Sequence, residues 1–214
     1  MMMLLQKLLI SLTIILIAGK ISVISLSSDI KQAVPNFLVC PKSGGELVTL
    51  YTEVNIPTLK GIHFTDITPN IRSAIETSGV SEGQVNVISR HTTTAITINE
   101  MEVRSTENKR QYCAQYYKIS PNIHLQGRLI DDTRQFLLKL APAAYPYLHN
   151  DLHLRHGPPD WPGGDDAWRE QEPINAHSHL LSMILGASVT VPIHEKKLKI
   201  GTWQSVILVS QVLD

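Results

Sequence analysis

The sequence predicts a fold that combines several short β-strands with a few α-helices. Side chains alternate in Glu46–Val54 and Gln84–Ser89, which are rich in β-branched residues and typical of strands. Asp66–Gly79 carries the signals of a helix, with Thr68 before Pro69 at its start and a glycine at its end. At 214 residues the chain is long enough for one domain with a sizeable core.

Further elements follow the same two patterns along the chain. The predicted strands are Gly61–Phe64, Ala95–Ile98, Ser188–Ile193 and Lys199–Val209, and the predicted helices are Leu129–Leu140 and Ala176–Leu185. Asn175 precedes the last of these helices and is expected to cap it. Between these elements the periodicity is lost after Met101, so we interpret residues 105–128 as an insertion.

The amino-terminal residues 1–30 differ in composition from the rest of the chain. Lys7 precedes an apolar run from Leu8 to Ala18, which resembles the hydrophobic region of a signal peptide. We interpret residues 1–30 as a hydrophobic targeting or anchor segment that lies outside the fold and can tether the protein to a membrane. The alternatives are a transit-like extension and an artefactual gene start. Residues 31–45 are then a linker, and residues 46–214 form the domain.

The charge balance and the cysteine content exclude two classes of protein. Lysine plus arginine and aspartate plus glutamate each number 19, so no overall basic field would attract a nucleic acid. Cys40 and Cys113 do not make a disulfide framework and lack the CxxC spacing of a metal site. A small local anion site is still compatible with this composition.

Candidate site residues concentrate between Leu148 and Leu180. Imidazoles and carboxylates around a turn-rich loop suit divalent metal binding or acid–base chemistry, and a solvated surface loop is the alternative. His177 and His179 are two residues apart on a predicted helix, so they cannot both face one point. The histidines of this stretch, five of the nine in the chain, are His149, His153, His156, His177 and His179.

A second candidate follows the strand Gln84–Ser89. Three threonines come after His91 and place hydroxyl and backbone N–H groups near an imidazole, which suits an anion. Glu100 follows the next strand and can serve as a ligand or a base. The start of the helix after Asn175 would add free N–H groups and a positive dipole end. The alternative is an ordinary Thr-rich strand beside a hydrogen-bonded histidine.

Four separated motifs then occur in the order of a known family. They are HTTTAITINE (His91–Glu100), HND (His149–Asp151), NAHSHL (Asn175–Leu180) and GTWQ (Gly201–Gln204). Together they resemble the YjbQ family, also called UPF0047, from about Glu46 to Val209. That family is associated with a secondary thiamine-phosphate synthase activity. A glycine is usual in the family at the turn that here contains Lys196 and Lys197.

The resemblance implies an α+β domain, with a large mixed or antiparallel sheet and a few helices, that assembles as a homotrimer. It implies a transferase that joins a pyrimidine pyrophosphate to a thiazole phosphate, with a divalent metal, zinc or magnesium, as cofactor. On this basis the catalytic residues are expected to be Glu100, His91 and Asp151. The expected phosphate-binding residues are Thr93, Thr94 and Asn175, and the expected metal ligands are His149, His177 and His179.

Two other functions are open on the sequence. One is a non-catalytic module that binds a metal or an anion. The other is a metal-dependent hydrolase that acts on a small phosphorylated metabolite. The transferase would bind a partner of the same class, a small phosphorylated metabolite. The amino-terminal segment favours a secreted or membrane-anchored protein, whereas the family resemblance favours a cytoplasmic one.

Overall fold

The computed structural model describes residues 9–19, 47–59, 61–102 and 128–212. Within these residues the strands are β1 (Leu9–Gly19), β2 (Leu47–Pro57), β3 (Gly61–Asp66), β4 (Glu82–Ser89), β5 (Thr94–Glu100), β6 (Ser188–His194), β7 (Lys197–Leu198) and β8 (Gln204–Val212). The helices are α1 (Thr68–Ser78), α2 (Arg128–Leu140), α3 (Gly164–Arg169) and α4 (Ala176–Leu185). Two short 3-10 helices, Leu148–Asn150 and Leu152–Leu154, precede α3.

The strands form two antiparallel sheets, and the expected α+β class is confirmed. One sheet has the order β2-β1-β4-β6-β7, and the other has the order β3-β8-β5. Successive side chains of β8 point to opposite faces, as strand geometry requires. Val206 and Leu208 join a core between the two sheets, whereas Ile207 and Val209 join a second core under α2 and α4. The three-stranded sheet is therefore the middle layer of the molecule.

The expectation that residues 1–30 lie entirely outside the fold is wrong for Leu9–Gly19. This stretch is β1, and it pairs with β2 on one side and with β4 on the other. An apolar run of about ten residues is as compatible with a strand as with a signal-peptide core, and its isoleucines favour the strand. Because β2 pairs with β1 alone in this sheet, β1 joins β2 to the rest of it.

Three predicted segments lie wholly or largely outside the described residues. They are the rest of the amino-terminal segment, the linker at residues 31–45 and nearly all of the expected insertion. Arg128, the last residue of that insertion, is the first residue of α2. Within the described part of the chain, no helix combines the length and the apolarity needed to cross a membrane. A targeting role for residues 1–30 stays a prediction.

The single strand predicted at Lys199–Val209 is wrong in its first half. The short strand β7 ends before Lys199, and the chain then turns at residues 201–203 and enters β8 at Gln204. The Gln204 side chain stabilises this turn, because its Oε1 accepts a hydrogen bond from the Gly201 N–H at 2.7 Å. A period-two pattern does not reveal such an interruption, since the turn is held by a side chain.

The turn between β6 and β7 contains two residues with left-handed backbone conformation. Glu195 has φ 53° and Lys196 has φ 61°, where a side chain is disfavoured. The family resemblance led us to expect a glycine in this turn, and glycine adopts the observed left-handed conformation most readily.

We expect Lys196→Gly to raise the free energy of unfolding by about 0.5–1 kcal/mol, because glycine relieves the left-handed strain. Urea unfolding followed by circular dichroism measures the change. Lys197→Gly is the control, since Lys197 begins a strand and glycine is unfavourable there. A Lys196→Gly protein with an unchanged or lower midpoint would contradict the expectation.

Candidate functional site

Three segments that are distant in sequence meet at one end of β5. They are the turn before β5, the 3-10 helix Leu148–Asn150 and the first turn of α4. The Ser182 hydroxyl donates a hydrogen bond to the Thr94 carbonyl at 2.7 Å, and the Ile96 N–H donates to the Gly186 carbonyl at 2.9 Å. The helix α4 therefore lies alongside β5 with its amino terminus at the Thr94 end.

His149 and His179 form the centre of the candidate site. Their ring centroids are 4.9 Å apart, and their planes meet edge to face at 80°. The backbone of Thr92 is hydrogen-bonded to the His179 ring, and His91 lies close enough to affect it electrostatically. We call His91, His149 and His179 the histidine cluster. The structure thus brings together three of the motifs that the sequence singles out.

A cleft of about 530 Å³ opens beside the histidine cluster. Two aromatic rings on its wall, those of Tyr145 and Tyr147, have centroids 4.9 Å apart and are tilted by 54°. This volume is within the usual range for small-molecule sites, and aromatic walls suit a planar ligand. The cleft is lined mainly by Tyr145, Tyr147, Leu148, His149, His179 and Leu180.

The turn before β5 determines how His91 presents its ring. The Thr93 N–H donates a hydrogen bond to His91 Nδ1 at 3.2 Å, and the Thr93 hydroxyl lies 3.0 Å from the same nitrogen. In the neutral ring the proton is therefore on Nε2. Partial burial lowers the pKa of His91, which favours this neutral form. His91 can then donate a hydrogen bond without carrying a charge.

His179 is also favoured in its neutral form. Burial lowers the pKa of its imidazole, and repulsion from His149 lowers it further, whereas the hydrogen bond with the Thr92 backbone opposes the change. The Nε2 atom of His149 is buried and finds no hydrogen-bond partner among the residues that the structure describes. A neutral imidazole can accept a proton or bind a metal, so His179 is suited to either task.

His177 does not join the cluster. Its side chain is 2% exposed, and its Nε2 lies 3.4 Å from the hydroxyl of Ser178, which bonds to the Gln211 carbonyl in β8. Only one of the two α4 histidines therefore faces the cleft. Among the residues that the structure describes, no group of three or more histidine, cysteine, aspartate or glutamate side chains is arranged to hold a metal ion. The metal role of His177 stays a prediction that its burial does not favour.

Of the expected phosphate-binding residues, Thr94 has a structural role, and the side chain of Asn175 does not make the expected cap. Thr94 is fully buried, and its hydroxyl donates to the His91 carbonyl at 3.0 Å and contacts the Ser89 hydroxyl. Asn175 occupies the N-cap position of α4, but its side chain makes no capping hydrogen bond. Asn150 caps the helix instead, because its Oδ1 accepts from the Ala176 N–H at 3.1 Å. Thr93 lies at the cluster but is nearly buried, at 5% exposure.

The three expected catalytic residues are not all in one place. His91 belongs to the cluster, and Asp151 lies between the two 3-10 helices, two residues after His149. Glu100 is at the far end of β5, about 20 Å from Thr94 at the usual rise of a strand, and it lies opposite Gln204. Within one chain the structure therefore separates Glu100 from the histidine cluster.

Sequence reasoning missed three contributors to the site. Tyr145 and Tyr147 precede the HND motif, and the Tyr-Pro-Tyr order was the available signal for an aromatic wall. Arg155 contacts the main chain of His149, for which the sequence has no signal. Outside the site, Trp203 of the GTWQ motif is 75% exposed at the Gln204 end of β8.

The fold and the cluster define an antiparallel α+β protein with a histidine-lined cleft. Comparison with known families gives a match to the family described as "UPF0047 protein YjbQ-like" over residues 52–211. The chain therefore belongs to the UPF0047 (YjbQ-like) family, and the resemblance noted in the four motifs is confirmed.

Individual relatives agree with this membership. A UPF0047 protein of Methanothermobacter thermautotrophicus is 30% identical over 163 residues, which cover 76% of this chain and 83% of the relative. A UPF0047 protein of Archaeoglobus fulgidus is 29% identical, covering 72% of this chain and 86% of the relative. A crystal structure of an uncharacterized conserved protein of the YjbQ/UPF0047 family from Clostridium acetobutylicum is 25% identical, with a TM-score of 0.47, covering 72% of this chain and 84% of that chain.

We expect Asn150→Ala to lower the free energy of unfolding by about 1 kcal/mol, because the Ala176 N–H loses its cap. Asn175→Ala is the matched control and should cost less, since the Asn175 side chain makes no capping bond. Urea unfolding of the two variants compares them directly. A larger loss in Asn175→Ala than in Asn150→Ala would show that the cap is assigned to the wrong residue.

We also expect the free energy of unfolding to fall as the pH is lowered from about 7 to about 5. Burial lowers the pKa of His177 below its ordinary value of 6.5, so the unfolded chain takes up this proton at a higher pH than the folded chain. Stability is therefore present above pH 6.5 and is lost as the pH falls toward the folded pKa.

The measurement is a series of urea midpoints against pH for the unaltered protein and for His177→Gln. The variant should show a weaker dependence on pH, because it lacks the buried titratable ring. His153→Gln, in an exposed position outside the cluster, is the control and should keep the original slope. Equal slopes in His177→Gln and the unaltered protein would refute the assignment.

Proposed function

We propose that the chain is a transferase of the thiamine-phosphate synthase type that works in the histidine-lined cleft. In this reaction a thiazole ring nitrogen attacks the methylene carbon of a pyrimidine pyrophosphate. A carbon–nitrogen bond forms, the carbon–oxygen bond breaks and pyrophosphate leaves. The observation that carries the proposal is the edge-to-face pair of His149 and His179 on the wall of a cleft large enough for a small substrate.

The residues that line the cleft, together with the neighbouring His91, suit a planar substrate with a phosphorylated end. Tyr145 and Tyr147 offer ring faces and edges on which a pyrimidine or a thiazole can stack. His91 offers an uncharged Nε2–H donor, and the amino terminus of α4 contributes a positive dipole end to the same region. Such preorganised donors stabilise the negative charge that develops on a leaving pyrophosphate.

A divalent metal is part of the proposal. The unpartnered Nε2 of His149 and the neutral ring of His179 fit such an ion as two of its ligands. Imidazole nitrogens favour zinc over magnesium, which prefers oxygen ligands. A bound metal would neutralise charge on the pyrophosphate. The remaining ligands would come from outside the described residues of this chain, for example from substrate, water or another copy, since the described residues supply no third side chain.

The expected homotrimer is also kept as a proposal. The outer face of α4 carries apolar side chains that are open to solvent in the single chain: Leu180 is 37%, Met183 is 76% and Ile184 is 59% exposed. Exposed apolar area of this kind is typical of surfaces that associate. Subunit contacts at this face would lie next to the cleft, because Leu180 lines it.

We expect His149→Ala and His179→Ala each to lower turnover by about 100-fold or more, because each removes an imidazole from the reacting region. The assay measures pyrophosphate release from the pyrimidine pyrophosphate in the presence of the thiazole phosphate. Metal analysis of the same proteins should show less bound metal in His149→Ala. His153→Ala, in the same loop but exposed, is the control.

The outcomes separate the rival functions. Full turnover and full metal content in His149→Ala would refute the proposal. Metal binding with hydrolysis of the pyrophosphate substrate alone, without use of the thiazole, would favour the hydrolase. Tight metal or phosphate binding without any turnover would favour the non-catalytic module.

A further inference from the structure

Arg155 connects the histidine cluster to the loop of residues 155–172. Its Nη1 donates a hydrogen bond to the His149 carbonyl at 3.1 Å, and its Nη2 donates to Glu172 Oε1 at 3.3 Å. The guanidinium also lies over the Trp168 ring, 5.0 Å from the ring centre. Three partners therefore hold the guanidinium, and one of them is the main chain of His149, a member of the histidine cluster.

Among the described residues, no hydrogen bond holds the Nε2 of the His149 ring, which is buried. The 3-10 helix Leu148–Asn150 also lacks a side-chain cap in this part of the chain. A 3-10 helix of this length is weak by itself, because it closes few hydrogen bonds for the residues that it orders. The position of the ring therefore depends on how firmly the main chain of His149 is held.

Other residues of the loop hold Arg155 in place. Arg169 donates from Nη2 to the Arg155 carbonyl at 2.9 Å and from Nε to the Leu152 carbonyl at 3.0 Å. A Cβ at Gly157 would lie 2.7 Å from Cγ of Trp168, so glycine is needed for the indole to pack this close to the chain. The Trp168 side chain is 6% exposed. Arg169 and the buried Trp168 therefore hold the main chain and the guanidinium of Arg155 in place within a loop that is otherwise largely exposed.

We propose that Arg155 is a positioning residue that sets the His149 ring against His179 by holding the His149 carbonyl. The role in a reaction rests on the proposed function, but the ring geometry exists with or without turnover. Arginine is suited to this task because a planar guanidinium can bond a carbonyl and a carboxylate while it stacks on an indole. The ammonium of lysine cannot make all three contacts at once.

Nuclear magnetic resonance of the full chain with labelled histidine tests the proposal. We expect a nuclear Overhauser effect between the ring protons of His149 and His179 in the unaltered protein, as their separation predicts. The effect should be lost in Arg155→Ala and in Arg155→Lys, while the amide signals of β5 and β8 stay in place. Arg72→Lys, on the exposed side of α1, is the matched control and should keep the effect.

A full ring-to-ring effect in Arg155→Ala would overturn the proposal. Should that variant not fold, the same result in Arg155→Lys overturns it, and so does the absence of the effect in the unaltered protein. In the transferase assay we expect kcat of Arg155→Lys to fall about ten- to a hundred-fold, with KM changed much less, because a misplaced group slows the chemical step. No turnover in the unaltered protein would refute the proposed function alone and leave the resonance test valid.

Discussion

The packing of α4 on β5 determines where the candidate site can form. The Ser182 hydroxyl bonds to the Thr94 carbonyl, and the Gly186 carbonyl accepts from the Ile96 N–H, so the helix cannot slide along the strand without breaking both. Each buried polar group left without a partner costs about 1–3 kcal/mol. His179 precedes Ser182 by about one helical turn, and this register places its ring at the turn before β5. Contacts that contain no histidine thus set the position of His179.

The HND motif combines a structural role with a role at the cleft. Asn150 caps α4 from 26 residues away, and the preceding His149 turns its ring toward His179. The cap joins the 3-10 helix to the helix that carries the second imidazole. A hydrogen bond between neighbours of the two histidines therefore helps to bring their rings together. Asn150 thus belongs to a motif with a cleft residue, but its own side chain stabilises α4, the helix that carries His179.

The four sequence motifs mark two different ends of the three-stranded sheet. The turn of His91, the HND motif and the start of α4 lie at one end, beside the cleft. Glu100 and Gln204 face each other at the other end, where the exposed Trp203 side chain also lies. Strand length accounts for the separation, because β5 spans about 20 Å at roughly 3.3 Å per residue. Motifs in one family signature need not belong to one pocket of a single chain.

Local pattern was enough to predict most strands and helices, the glycine that ends α1 and the rule that His177 and His179 face different ways. These features depend on residues close in sequence, whose periodicity is visible directly. The strand β1 was not recognised, because an apolar run of its length is equally typical of a signal peptide. Tertiary structure alone decided that Asn150 caps α4, that Arg155 holds His149 and that Glu100 lies apart from the cluster. Such pairings depend on the path of the chain between distant residues, which no local period encodes.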